Sequence, residues 1–332
     1  MPHDLTRWIP KLAGNRILVI GDVILDEYIT GSATRMSREA PVPVLEFQSR
    51  RMVPGGAANP SANIVALGSE ALQVGVTGDD DHATNLRNAL TGRGIETSGL
   101  IADSTRPTTV KTRIMAQMGL RFPQQVARLD HLSRQPIDKS IENKIVDYVG
   151  SQIDNISAIL VSDYHTGLLT PPLADAIRSR ANDVFLAADA QGELAKYAGF
   201  ALVKCNADEA RAYLQCDLVS DEDFADAAAE LCESLALTGA MVITRGVDGA
   251  TLATAHGAIA HCPAPHVTDV YDTVGAGDTA IAVMTLASIP GADYPTAATL
   301  ANYASGIVVR HVGNYAPSPD ELLQALESWR TD

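Results

Sequence analysis

The 332-residue chain carries 25 Lys+Arg against 40 Asp+Glu, a formal net charge of −15, and so has no basic excess with which to displace counterions from a nucleic-acid backbone. Its longest apolar runs, AIAVM among them, are too short to span a bilayer, and the opening MPHDLTRWIPKLAGN lacks the apolar segment of a secretory signal. Four cysteines without a CxxC pair, in a chain that is 46% hydrophobic and 20% charged, are those of a reduced, cytoplasmic protein able to bury a large core.

The first apolar strand is RILVIGD (16–22), and 26–50 then departs from it, with β-branched and polar alternation and no helical period. PGGAANPSAN (54–63) is a tight glycine turn opening a helix over 59–68; strand 71–78 and helix 82–93 follow. A second irregular stretch, 108–130, resembles 26–50 in composition, and together they read as a small accessory sheet projecting as a lid, with Pro41 and Pro43 at edges or bends. Beyond it helices are expected at 139–150, 171–180, 206–214, 221–237, 276–289, 295–310 and 318–329, and strands at 158–163, 184–189, 201–206 and 241–246. Such alternation implies an α/β fold, a mostly parallel doubly wound sheet with helices on both faces. Ligands in such folds lie beyond the carboxyl ends of the strands, where this chain places Asp, Asn, Gly and Thr. With no repeat or linker, 1–332 reads as one domain with a lid formed by about 26–50 and 108–130.

VYDTVGAGDTAIAVM (270–284) carries the chemistry. Gly275, Ala276 and Gly277 have little side chain, and if a helix begins here their N–H groups form an anion hole. Asp278, in the first turn, then suits a base that orients a hydroxyl, with its pKa kept low by the helix N-terminus. A bare GxGD also fits a simple turn whose Asp complements the helix dipole.

The whole string DTVGAGD resembles the C-terminal signature of the ribokinase (PfkB) family of carbohydrate kinases, and PGGAAN resembles its N-terminal Gly-Gly signature; the likeness runs from about 15 to 318. It implies a ribokinase-like fold, ATP as phosphoryl donor, and Mg²⁺, with K⁺ as a further cation. The resemblance assigns Asp278 as base, Gly275, Ala276 and Gly277 as anion hole, and Asp272 as support for a monovalent cation. It assigns Asp26, Gly55, Gly56 and Asn59 to the sugar. NADE (206–209) has capping-box spacing, and it also matches the family motif in which Glu209, with Asn206, orients water on Mg²⁺. ITRGVDGA (243–250) is a hairpin turn or the nucleotide loop, with Thr244, Gly246 and Gly249 near phosphates or ribose; Asn302 matches a position beside adenine.

GDVILDEY, TRMSREAPVPVLEF, VSDYHTGLL and VYDTVGAGDT resemble, within the family, the D-glycero-D-manno-heptose-7-phosphate kinases. Many of these carry a further nucleotidyltransferase domain; no HxGH motif is present here, so only the kinase half is expected. Two subfamily lysines, in DYxKG and DPKG, are replaced by Thr166 and Gln191. Lys111, Arg113 and Arg128 in the lid, with Arg35 and Arg38, are candidates to compensate, and MGLRFPQQ (118–125) enlarges the lid. The expected reaction is ATP-dependent phosphorylation of a sugar or sugar-phosphate hydroxyl, at best the C1 hydroxyl of that heptose 7-phosphate. The alternatives are a kinase for an unphosphorylated sugar or polyol and a non-catalytic sugar- or nucleotide-binding regulator. The lids of the family often pair, so a homodimer through the lid is expected.

Overall fold

The protein is described by a computed structural model covering residues 5–329 apart from 120–122 and 182. The strongly apolar segment Arg16–Gly21 forms β1, a buried interior strand of a nine-stranded sheet. The other strands of that sheet are β4 (Glu70–Thr77), β5 (Glu96–Ala102), β8 (Ala158–Asp163), β9 (Phe185–Ala190), β10 (Leu202–Asn206), β11 (Ala240–Thr244), β12 (Ala250–Thr254) and β13 (Ile259–Cys262). Their order is β13-β12-β11-β10-β9-β8-β1-β4-β5, and only the β11–β12 and β12–β13 pairs are antiparallel. The chain winds outward from β1 through β4 to β5, then returns to β8 on the other side and winds the opposite way. The crevice between β1 and β8 is therefore the topological switch point, where open α/β sheets bind ligands.

Helices cover both faces. On one face lie α1 (Ala58–Ala66), α7 (Ala276–Ser288), α8 (Tyr294–Val308) and α9 (Pro319–Ser328), sharing a core with Ile17, Val19 and Leu160. On the other, α3 (Lys139–Gln152), α4 (Pro171–Arg180), α5 (Ala207–Leu214) and α6 (Asp221–Ser234) pack with Leu18, Ile20 and Val161. The alternation of β1 side chains between the two cores is the period-2 pattern of a strand covered on both sides. Helix α2 (Asp81–Thr91) buries Leu86 and Leu90 against the first core. α7 is buried without a break from Asp278 to Ala287, as an apolar helix sandwiched between sheet and α8 must be. Its many alanines let it approach closely, so its N-terminus is held rigidly.

The two irregular stretches form the separate four-stranded sheet expected of them, in order β3-β2-β6-β7. It consists of β2 (Val23–Met36), β3 (Pro43–Gly56), β6 (Val110–Gln117) and β7 (Gln124–His131), with β2–β6 parallel and the other pairs antiparallel. Pro43 opens β3, where its missing N–H is harmless, and the Ser37 N–H to Val42 carbonyl bond closes the turn before it. The sheet extends further than anticipated, from 23 and to 56, so Asp26 and the Gly55-Gly56 pair are part of the lid's root. All nine expected helices and all six expected strands of the main sheet are present to within a few residues. β5, β12 and β13 were not anticipated. The first has Gly99 at its middle and is partly exposed; the other two are short strands at the antiparallel edge. No helix among the described residues is long and apolar enough to cross a membrane.

Candidate active site

Four strands deliver polar side chains to one edge of the sheet. Asp22 directly follows β1, β8 ends at Asp163 and β10 at Asn206, while β9 carries Asp189. Opposite them α7 starts at Gly275, whose φ of 86° lies in the left-handed region and turns the chain sharply into the helix. A Cβ there would come within 2.6 Å of Asn59 Nδ2. The first helical main-chain bond runs from the Thr279 N–H to the Gly275 carbonyl, so the amides of Gly277 and Asp278 lie ahead of it as helix-end donors.

Asp278 is buried, 7% exposed. Its Oδ2 accepts from Asn59 Nδ2 at 2.8 Å and its Oδ1 from the Tyr164 hydroxyl at 2.7 Å. The expectation of a low pKa is overturned: burial, reinforced by the nearby carboxylate of Asp189, pushes it up to about 6, against the opposing pull of the two hydrogen bonds and of Lys204. Desolvation outweighs the helix end because this first turn is packed against α1, the Tyr164 loop and the sheet rather than open to solvent. Asn59, from the first turn of α1, leaves its Oδ1 buried and without a partner, a vacant acceptor beside the base.

The lid closes this crevice from the other side. Asp26 makes an ion pair with Arg113 and accepts from Asn314 Nδ2 at 3.2 Å. Gly55 packs on it so tightly that a Cβ would lie 2.0 Å from Asp26 Oδ2. Gly56, with φ of 58°, turns the chain from lid to α1. Lys111, next to Asp26 across β2–β6, holds its ammonium 5.5 Å from the Tyr164 ring centroid, and burial lowers its pKa. Arg113 thus fixes Asp26 instead of facing the site alone, and Arg128 is spent on Asp130 at 2.9 Å. Arg35 and Arg38 are exposed on the lid. Of MGLRFPQQ, residues 120–122 lie outside the described residues. Thr166, standing for one missing lysine, donates its hydroxyl to buried Asp22 at 2.5 Å. Gln191 is half-buried in the turn after β9.

A second group of positions gathers round a cavity of about 470 Å³ on the other side of the α7 N-terminus. Gly246, Thr273, Ala276, Asn302 and Gly306 line it, with Pro265, Val267 and Val309 as apolar walls. Gly246 has φ of 62° and open space where a Cβ would be. Asn302 donates to the Cys262 carbonyl at 2.8 Å, tying the cavity floor to β13. Thr244 and Gly249 are not in this lining. Thr244 donates to the Cys205 carbonyl, and Gly249 passes so close to the Cys262 carbonyl (2.1 Å from an added Cβ) that it serves the β11–β12 hairpin itself. Residues 243–250 thus form the turn of the β11–β12 hairpin, with Gly246 facing the cavity.

Asn206 and Glu209 form a complete capping box on α5, with Glu209 N donating to Asn206 Oδ1 at 2.9 Å and Asn206 N to Glu209 Oε2 at 2.6 Å. Burial pushes the Glu209 carboxyl up, with Asp189 and Lys204 close by. Lys204 and Asp189 are a buried ion pair at 2.7 Å directly behind Gly277, whose added Cβ would meet Lys204 Nζ at 2.9 Å. No three His, Cys, Asp or Glu among the described residues close on one point to cage a metal. The donor set suits a cation carried by phosphate and water oxygens, with carboxylates in the outer layer. Asp272 accepts from the N–H groups of Val274 and Gly313, at 3.1 and 2.9 Å, so it ties the loop before α7 to the turn bearing Asn314.

Sequence reasoning missed Tyr164, Asn314, Asp22 and the Lys204–Asp189 pair. Lys204 had a signal, a cation inside the apolar strand ALVKCN, and Tyr164 lies in the quoted VSDYHTGLL; Asn314 had none.

Over 312 residues the chain is 39% identical to the "Bifunctional protein HldE" of Geobacter sulfurreducens, covering 93% of this chain and 62% of that protein. It is 35% identical to the protein of the same name from Shewanella amazonensis, covering 96% of this chain and 65% of the relative. The chain thus spans somewhat less than two thirds of the length of these relatives. Among solved structures, an Arabidopsis thaliana ribokinase complexed with ribose and ATP superposes with a TM-score of 0.72 at 17% identity, over 95% of this chain and 99% of that one. Escherichia coli phosphofructokinase-2 in complex with potassium gives 0.73 at 18% identity, over 95% and 98%. These two likenesses show the ribokinase-like fold. Residues 15–321 match the model described as pfkB family carbohydrate kinase, and the chain belongs to that family.

Proposed function

We propose that this chain transfers the γ-phosphoryl group of ATP to a hydroxyl of a sugar phosphate, at best the C1 hydroxyl of D-glycero-D-manno-heptose 7-phosphate. The observation that carries the reaction type is the buried Asp278 at the N-terminus of α7, in the crevice between the lid and the cavity lined by Asn302. Its pKa of about 6 suits a base that is ionised at neutral pH yet holds a proton. In the proposed mechanism Asp26, the Gly55-Gly56 backbone, Asn59 and Asn314 hold the sugar hydroxyls. The substrate hydroxyl lies against Asp278, its oxygen bonds to the γ-phosphorus in line with the leaving ADP oxygen, and its proton passes to the carboxylate. The amides of Gly275 and Gly277, with that of Asp278, receive the charge that develops on the phosphoryl oxygens, the Ala276 N–H being turned to the Thr273 carbonyl. Adenine and ribose fit the 470 Å³ cavity with Gly246, Asn302 and the apolar walls, while Thr244 and Gly249 shape its loop from behind.

Mg²⁺ would be held through water by Glu209, with Asn206 fixing that carboxylate, and when bound it neutralises phosphate charge. K⁺ would lie beside Asp272, whose two oxygens each retain a lone pair. Lys111, which has no ion pair within the described residues, favours a phosphorylated sugar; Arg113 acts there through Asp26. The loss of a cation at Thr166, whose hydroxyl is committed to Asp22, favours the second reading, an unphosphorylated sugar or polyol. We place the enzyme in the cytoplasm, in keeping with four free cysteines. We also propose a homodimer through the lid, where Phe47 and Leu129 are 69% and 66% exposed on its two edge strands.

The test is ADP release by purified protein with Mg-ATP and a panel of heptose 7-phosphate, hexose phosphates and free sugars. Turnover on the heptose phosphate supports the first reading, and turnover on free sugars alone the second. No turnover on any sugar overturns both.

A further inference from the structure

The base has a partner that the phosphoryl-transfer reading leaves unused. Tyr164 follows directly on β8, at the switch point, and its hydroxyl reaches Oδ1 of Asp278 at 2.7 Å. The loop carrying it is bound down from two sides. Asp22 accepts from the N–H groups of Tyr164 and Thr166, at 2.8 and 3.1 Å, and from the Thr166 hydroxyl at 2.5 Å. Asp163 accepts from the His165 N–H at 2.9 Å with its Oδ1, while Lys196 and Tyr197 hold its Oδ2 at 2.6 and 2.7 Å. Two carboxylates, 3% and 1% exposed, are thereby committed to a turn in which His165 adopts a φ of 57° and Gly167 one of 91°. So much buried charge is costly for a surface turn and is explained if the turn must aim one side chain.

We infer that Tyr164 is a positioning residue for the transfer: by donating to Oδ1 while Asn59 donates to Oδ2, it fixes the plane of the Asp278 carboxylate and leaves one set of lone pairs for the substrate hydroxyl. The inference rests on Asp278 acting as proposed. A carboxylate free to rotate about its last bond would offer the substrate a blurred target, whereas one donor on each oxygen locks it. Both donors also favour the ionised form and so oppose the rise in pKa that burial causes. Lys111, over the Tyr164 ring, links this arrangement to lid position.

The test is the pH profile of kcat/KM for Tyr164→Phe, which keeps the ring and removes the hydroxyl. A charge-assisted bond of this kind corresponds to about one pKa unit. The acid limb should move up by about one unit from near pH 6, with a roughly fivefold loss at pH 6 that approaches tenfold below pH 5 and fades above pH 8, and an unchanged KM for ATP. A merely space-filling tyrosine would leave the limb where it was. If the Phe variant fails to fold, 2,3-difluorotyrosine at 164 keeps the shape and is a stronger donor, and the limb should then move down. An unmoved limb in both variants, while Asp278→Asn is inactive, overturns the role of Tyr164 and leaves the proposed function standing. Turnover by Asp278→Asn equal to wild type overturns the proposed function itself.

Discussion

Replacing Asp278 by Asn should make the protein more stable and inactive at the same time. The carboxyl is raised from 3.8 to about 6, chiefly by burial and next by Asp189. At about 1.4 kcal/mol per pKa unit, holding it ionised costs the folded state about 3 kcal/mol. The folded chain keeps the proton up to about pH 6, whereas the unfolded chain releases it near 3.8. The cost is therefore absent below pH 4, grows as pH rises from 4 to 6, and is complete above 7. Asn does not titrate, and its Oδ1 can still accept from the Tyr164 hydroxyl. Asn59 can flip so that its unpartnered Oδ1 accepts from the new amide. The gain of the variant in urea-unfolding free energy should accordingly rise from near zero at pH 4 to about 3 kcal/mol at pH 7.5. ADP release should fall by at least ~10²-fold. A stability difference that does not change with pH, or a variant less stable than wild type at pH 7.5, would refute the assignment of a desolvated base.

Gly55→Ala places a Cβ where Asp26 Oδ2 lies, 2.0 Å away, so the KM for the sugar should rise about tenfold or more while the KM for ATP stays constant in steady-state assays. Lys204→Met leaves Asp189 buried without its partner behind the anion hole; chemical denaturation should show a loss of about 3–5 kcal/mol at neutral pH. The same change removes a cation that lowers the Asp278 pKa, so the acid limb of kcat/KM should move upward, and a limb that moves down would contradict the cause assigned to it. Phe47→Glu with Leu129→Glu should shift sedimentation from dimer to monomer; equal sedimentation would remove the lid interface.

The fold was largely legible because local pattern and tertiary demand coincide in this chain. RILVIG alternates toward two cores, AGDTAIAVMTLAS is apolar all round because α7 is covered on all sides, and the lid segments lack helical period because they are edge-rich sheet. Gly275 of DTVGAGD was equally readable as the entry to a helix, where its left-handed backbone favours glycine. What the tertiary structure alone decided is the electrostatics and the partnership of the site. The helix position of Asp278 implies a low pKa; burial among α1, the Tyr164 loop and the sheet reverses the direction. Asn59 and Tyr164 converge on it from 219 and 114 residues away, and Asn314 reaches Asp26 across 288. Arg113, a candidate to replace the missing lysines, forms an ion pair with Asp26 that no local pattern announces. Secondary structure follows from neighbours along the chain, so periodicity reports it. Desolvation and hydrogen-bond partners depend on what arrives from distant elements, and no local pattern encodes them.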